Sequence, residues 1–324
     1  MKKLVNIVVL GAADIAQRFI LPSLLELSEH YSILGIISKS GKKNKIFQDN
    51  FGLKIINEDY DYLKKIPNVD AVYIPLPNSL HSYWVEFCLL NGYHVLVEKS
   101  LATTFKDVKK LNDLARKNRL VLIENFQFRF HKQFNVITEA LQSNEIGELR
   151  CLRSSFGFPP FTDKSNIRYK KELGGGALLD AGSYPIKISQ LILGNDLKVS
   201  GASIFLDKDL DIDLWGGGFL VKNQGNLFSQ VAFGFDNYYQ CNLEIWGSKG
   251  RIIANRIFTS PPGHQAELIF EKNGGKKVIK IETDNHFINM LLYFHSLIID
   301  GKLLHIEYEN NINQGRLISE FSKI

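Results

Sequence analysis

Over roughly the first 124 residues, short runs of branched aliphatic residues alternate with amphipathic stretches, and this alternation restricts the fold more than any other feature. The runs are residues 4–10, 32–37, 71–74, 94–97 and 120–123; the stretches with apolar residues at helical spacing are 15–29, 79–91 and 105–118. Strand, helix, strand repeated in this way predicts a doubly wound parallel sheet with helices on its faces.

After Gln127 the texture changes. A helical stretch at 134–142 closes at Ile146-Gly147, and long alternating runs follow at 149–158, 199–206, 214–221, 227–235, 239–247, 251–258 and 267–270. Turn signals such as Lys222-Asn223, Gly247-Ser248-Lys249-Gly250 and Asn273-Gly274-Gly275 separate them. The expectation is a large, mostly antiparallel open sheet, with helices at 182–193, 287–299 and 310–321 covering one face. A chain of 324 residues accommodates two such domains, divided here as 1–124 and 125–324.

Composition narrows the partners. The formal charge of +5 is a small difference between 39 basic and 34 acidic residues, and the lysines are scattered among acids, so no nucleic-acid partner is implied. Lys39, Lys42, Lys43 and Lys45 form the one tight basic cluster, which reads either as a solvated loop or as an anion site. Cys88, Cys151 and Cys241 are far apart in apolar surroundings, which gives neither a disulfide framework nor a metal or redox pair and fits a reducing, cytoplasmic compartment. Met1-Lys2-Lys3 leads directly into the first strand, so no membrane span or targeting segment is expected there.

The first strand runs into Gly11-Ala12-Ala13-Asp14-Ile15-Ala16, a weakened G-x-G-x-x-A turn between a strand and a helix. That order places backbone N–H groups and the positive end of a helix dipole against a pyrophosphate, the mark of a Rossmann dinucleotide-binding domain. An NAD(H) enzyme would carry a carboxylate on the ribose at the end of the second strand. Here stand Ser38, Lys39 and Ser40, with Lys42 and Lys43 close behind, so NADP(H) is favoured over NAD(H). No metal site is expected.

Two further segments carry polar chemistry where a sheet would not need it. A strand end presents Glu98-Lys99-Ser100, and a glycine-rich run, Gly174-Gly175-Gly176, leads to Asp180 and Tyr184, which share a face if that stretch is helical. With both in view, the whole chain resembles the glucose-fructose oxidoreductase / inositol dehydrogenase family, known as Gfo/Idh/MocA. Tyrosine at 184 is similar to the branch holding glucose-fructose oxidoreductase, dimeric dihydrodiol dehydrogenase and the nucleotide-sugar 3-ketoreductases. The loop Gly11–Ala16, Phe158-Pro159-Pro160 and Asn166-Ile167-Arg168-Tyr169 resemble the 3-ketoreductases most. The family usually has proline where this chain has Ser100.

The resemblance implies a sugar or nucleotide-sugar substrate and a homodimer or homotetramer built on the open sheet face. Ketone reduction needs a hydride, a proton donor and a nearby cation, roles that fall to NADPH, Tyr184 and Lys99, with Asp180 orienting the lysine or a sugar hydroxyl. Arg168, Tyr169 and Phe158 are assigned to the substrate. Pro75, Leu76, Pro77, Asn78 and His81 resemble the family segment near the nicotinamide, joined by Glu98. Two other readings stay open: a sugar or trans-dihydrodiol dehydrogenase using NADP, and a non-catalytic dinucleotide sensor on the same fold.

Overall fold

The computed structural model describes residues 4–323 and, within them, leaves the side chain of Lys42 undescribed; Met1, Lys2 and Lys3 lie outside the described residues. The chain divides into two compact units, one running to Asn125 and including Phe287–Ile312, the other Phe126–His286 with Asn313–Ile324.

In the first unit β1 (Val5–Leu10), β2 (Tyr31–Ile37), β3 (Ile55–Asn57), β4 (Ala71–Ile74), β5 (His94–Glu98) and β6 (Leu122–Asn125) form one sheet in the order β3-β2-β1-β4-β5-β6. Every pairing in it is parallel. The strands read as unbroken apolar runs because helices bury both faces, and all four residues of β4 are buried. The strand order switches from one side of β1 to the other between β1 and β4, which makes the carboxyl ends of these two strands the place where such sheets bind ligands. The crossovers are α1 (Leu21–Glu26), α2 (Gly41–Phe51), α3 (Asn78–Leu90) and α4 (Phe105–Asn118). Thr104 caps α4, accepting the Asp107 N–H at 3.1 Å.

Periodicity did not reveal α2 or β3. Rather than a solvated loop, the lysine cluster is the opening of α2, whose apolar positions are too sparse to set a helical period.

The second unit holds α5 (Lys132–Gln142), capped by His131 Nδ1, which accepts the Gln133 N–H at 3.1 Å. Its sheet contains β7 (Leu149–Gly157), β8 (Leu197–Asp207), β9 (Ile212–Lys222), β10 (Phe228–Gly234), β11 (Gln240–Gly247), β12 (Gly250–Ala254), β13 (Glu267–Lys272) and β14 (Gly275–Lys280). The order is β14-β13-β12-β11-β7-β10-β9-β8, and only β7 with β10 run parallel. α6 (Ser183–Leu193), almost wholly buried, lies on the inner face. Residues Leu317 and Phe321 join that core, and Phe321 approaches so closely that a Cβ on Gly218 would sit 2.8 Å from its ring.

The last two helices, α7 (His286–Asp300) and α8 (Leu304–Phe321), depart from the expected division at 124/125. Nearly all of α7 and the first half of α8 belong to the first unit, and the second half of α8 to the second. Specific bonds hold the parts in the first unit. Tyr31 donates to Leu291 O at 2.6 Å, Tyr308 to Leu120 O at 2.6 Å, and Phe19 stacks on Phe287 at 4.7 Å. Partners this far apart in sequence are invisible to a periodicity reading. Among the described residues, no helix is long and apolar enough to cross a membrane and no group of side chains could hold a metal ion.

Candidate active site

Gly11 closes the turn after β1 with φ +120°, and an added Cβ would lie 2.8 Å from Leu76 Cδ2 in the loop after β4. Only glycine suits both conditions, and its backbone is left bare for a pyrophosphate to approach. The chain is helical from Asp14, so Ala12 and Ala13 lie immediately before a helix N-terminus, with Ile15 in its first turn. Asp14 sits 2.7 Å from Lys43 Nζ in an exposed ion pair.

At the end of β2, Ser38 is buried and its Oγ accepts the Ser40 N–H at 3.2 Å. The Lys39 ammonium lies 5.1 Å over the Tyr60 ring. α2 begins one residue after Ser40 with no side-chain cap and no acid in its first turn, yet with lysines at 42 and 43. Cations at a helix N-terminus oppose the dipole, so this arrangement suits an anion rather than stability. These groups fit a dinucleotide with a 2′-phosphate.

Glu98 ends β5, with Oε1 accepting from Tyr73 Oη at 2.8 Å and from Asn125 Nδ2 at 2.8 Å. Burial pushes the Glu98 carboxyl up, against the pull of those two donors and of Lys99. Lys99 follows, half-buried, and the Lys99–Ser100 peptide is cis. Ser100 is gripped at both ends: its N–H donates to Asn78 Oδ1 at 3.2 Å, and its carbonyl oxygen is 2.7 Å from His81 Nδ1. The other ring nitrogen of His81 lies 2.7 Å from Leu76 O. Fully buried, His81 has its pKa pushed down to about 4, chiefly by desolvation. Both ring nitrogens face main-chain carbonyls, and the neutral imidazole, with a single N–H, donates to one of the two at a time. Pro75 and Pro77 flank Leu76 and set the course of that loop.

In the second unit the glycine run has a steric cause. Gly174 and Gly176 have φ +74° and +112°, and a Cβ on Gly175 would meet Arg168 O at 2.4 Å. Asp213 comes up under the run. A Cβ on Gly176 would lie 2.3 Å from Asp213 Oδ1, while Oδ2 accepts the Leu178 N–H. Burial raises the Asp213 carboxyl, and the N–H groups of Leu178, Asp213 and Ala177 oppose the rise. In β9 a register shift against Phe205 and Leu206 skips Leu214, so Asp213 turns inward while Trp215 faces out. The sequence offered no sign of this aspartate; Gly176 signalled a close approach without naming the partner.

From that anchored start, Leu178–Gly182 winds as a wide π-type turn into α6, rather than as one regular helix carrying Asp180 and Tyr184. Asp180 Oδ2 accepts from Arg168 Nε at 2.6 Å, which pairs two residues assigned separate duties from sequence. The Arg168 guanidinium also lies 4.9 Å over Phe161. Tyr184 is buried among Phe126, Phe128, Phe156 and Phe258, at ring distances of 5.0 to 5.9 Å. Phe158 stacks on Phe235 at 5.2 Å, and Tyr169 Oη accepts the Phe161 N–H at 2.9 Å. Arg168, Tyr169 and Phe158 thus form one aromatic and basic group near the start of α6.

Residues 5–126 match the model described as an oxidoreductase family with an NAD-binding Rossmann fold, and residues 134–253 match the GFO/IDH/MocA C-terminal domain. The chain is 39% identical over 274 residues to a dTDP-3,4-didehydro-2,6-dideoxy-alpha-D-glucose 3-reductase from Saccharopolyspora spinosa, covering 85% of this chain and 81% of that protein. It is 31% identical over 237 residues to a trans-1,2-dihydrobenzene-1,2-diol dehydrogenase from Xenopus laevis, covering 71% and 69%. A 3-ketoreductase from Actinomadura kijaniata, solved in complex with NADP and TDP-benzene, superposes with a TM-score of 0.93 at 34% identity, over 99% of this chain and 98% of that one. With a parallel sheet ending in Gly11 and Lys99 and an open sheet behind Tyr184, this chain belongs to the Gfo/Idh/MocA oxidoreductase family.

Proposed function

We propose that the chain is an NADPH-dependent 3-ketoreductase acting on a dTDP-linked keto-deoxyhexose. The observation that carries this is the near full-length likeness to a 3-ketoreductase solved with NADP and a TDP ligand. The nucleotide end supports the cofactor: Gly11 makes the tight turn against Leu76 that brings backbone N–H groups to the pyrophosphate, and Ser38, Lys39, Ser40 and Lys43 meet the 2′-phosphate. Bound there, NADPH supplies the hydride.

Reducing the ketone places negative charge on its oxygen, which asks for a proton donor and a cation at that atom. We assign Tyr184 Oη as the donor and the Lys99 ammonium as the cation. The hydride goes to the carbonyl carbon and the Tyr184 proton to the oxygen, leaving a secondary alcohol, NADP+ and a phenolate that solvent reprotonates. Asp180 holds Arg168, which places a guanidinium for the substrate diphosphate, with Tyr169 and Phe158 beside it.

The outer face of the second sheet supports self-association through this surface. Phe205 and Trp215 stack there at 3.9 Å, and Phe219 is 47% exposed. Such an exposed aromatic patch suits a second copy, as a homodimer or homotetramer. The three free, buried cysteines accord with a cytoplasmic enzyme.

The test is a substrate panel with purified protein, following NADPH consumption. A dTDP-linked 3-keto-deoxyhexose should be reduced, with NADPH preferred to NADH. Faster oxidation of a trans-dihydrodiol or free sugar by NADP+ would overturn the assignment in favour of a dehydrogenase, and nucleotide binding without turnover would favour a sensor.

A further inference from the structure

Lys99 is held from both sides. Before it, the Glu98 carboxylate is fixed by Tyr73 and Asn125; after it, Ser100 is fixed by Asn78 and His81. Asn78 and His81 stand three residues apart in the first turn of α3, so they share a helix face. From that face one takes the N–H of Ser100 and the other its carbonyl. Ser100 is only 2% exposed, so its polar backbone groups depend on these side chains.

We propose that Asn78 and His81 are positioning residues, a side-chain clasp on the Ser100 peptide that aims Lys99, in a chain that lacks the proline its family usually places there. The inference rests on the function proposed for Lys99. Proline would bring a fixed ring and no N–H. Serine brings an N–H, and Asn78 Oδ1 is the acceptor within reach at 3.2 Å. The ring of His81 also lies 2.7 Å from Leu76 O, whose side chain abuts Gly11; being neutral it donates to one carbonyl at a time, and the Nδ1–H tautomer is the one that holds Ser100 O. Reading Asn78 and His81 as dinucleotide contacts, as their sequence context suggests, predicts something different: their loss would weaken cofactor binding first.

A double-mutant cycle of Asn78→Ala and Ser100→Pro separates the two. Backbone amide exchange at Ser100, NADPH affinity by fluorescence, and kcat are measured on the full chain. Asn78→Ala should speed Ser100 exchange and lower kcat by about tenfold each while NADPH affinity changes by less than about twofold. Asn78→Asp, which keeps the acceptor oxygen, should restore the protection. In the Ser100→Pro background, where no N–H remains, Asn78→Ala should change kcat by less than about twofold. Equal effects of Asn78→Ala in both backgrounds, unchanged exchange at Ser100, or NADPH affinity falling in step with kcat would overturn the proposal. His81→Gln gives a second check: faster Ser100 exchange is expected, and native exchange would contradict the clasp. Exchange and NADPH binding need no sugar, so the clasp is tested even if keto-sugars are not reduced.

Discussion

Replacing Gly176 by alanine should damage this protein far more than its loop position suggests. Gly176 adopts φ +112°, a region closed to residues with a Cβ, at a cost of about 1–3 kcal/mol. The new methyl would also stand 2.3 Å from Asp213 Oδ1, so the carboxylate must withdraw. Asp213 anchors the start of the Leu178–Gly182 turn through the Leu178 N–H, and a lost hydrogen bond to a charged group costs about 1.5–3 kcal/mol. Together these come to about 2.5–6 kcal/mol, a large fraction of the ~5–15 kcal/mol available to a domain. Gly225 is the control: its φ is +100°, but no atom lies within 4 Å of its missing Cβ. Urea melts of both variants should place Gly225→Ala lower by strain alone and Gly176→Ala lower by about 1.5–3 kcal/mol more. Because the same turn carries Asp180 and leads to Tyr184, kcat should fall in Gly176→Ala only. Equal destabilisation of the two variants would refute the role given to Asp213.

Other expectations concern pH, cofactor choice and assembly. His81 and His286 have folded pKa values near 4 and 3, below the unfolded 6.5, chiefly through burial. The unfolded chain therefore binds more protons between those values, and stability falls as pH drops below the unfolded pKa. From pH 7 to 5 each ring should remove about 2 kcal/mol, read from melts at fixed ionic strength. A flat profile over that interval would contradict the burial of both rings. Lys39→Ala should weaken NADPH about fivefold more than NADH, by more at low salt, and Asp14→Asn should tighten NADPH modestly by releasing Lys43 from its ion pair. Titrations in which both cofactors weaken equally would remove Lys39 from the phosphate site. Trp215→Glu should lower the mass measured by light scattering, and a native protein already monomeric would defeat the sheet-face assembly.

Much of the architecture was legible because it is periodic. β1, β4 and β5 are bounded apolar runs, and the glycine turn at Gly11 needs one residue type for a steric reason. α2 escaped notice since its amphipathicity is weak, and the unit to which α7 belongs was hidden because Phe19, Tyr31 and Leu120, which hold the last two helices, lie far away in sequence. The site shows the same divide. Lys99, Asp180 and Tyr184 stood out as polar groups at strand and helix ends. Asp213, turned inward by a bulge, and the Arg168–Asp180 pair depend on register and loop geometry, which residue order alone does not express.

Proton delivery by the Tyr184 hydroxyl is the step on which the proposed ketone reduction depends. Single-turnover NADPH oxidation, with saturating dTDP-3-keto-deoxyhexose, compared between native protein and Tyr184→Phe, tests it most directly. Loss of the hydroxyl should slow the chemical step by about 100- to 10,000-fold while NADPH affinity stays within about twofold. A Tyr184→Phe variant that oxidises NADPH at the native rate would contradict the account.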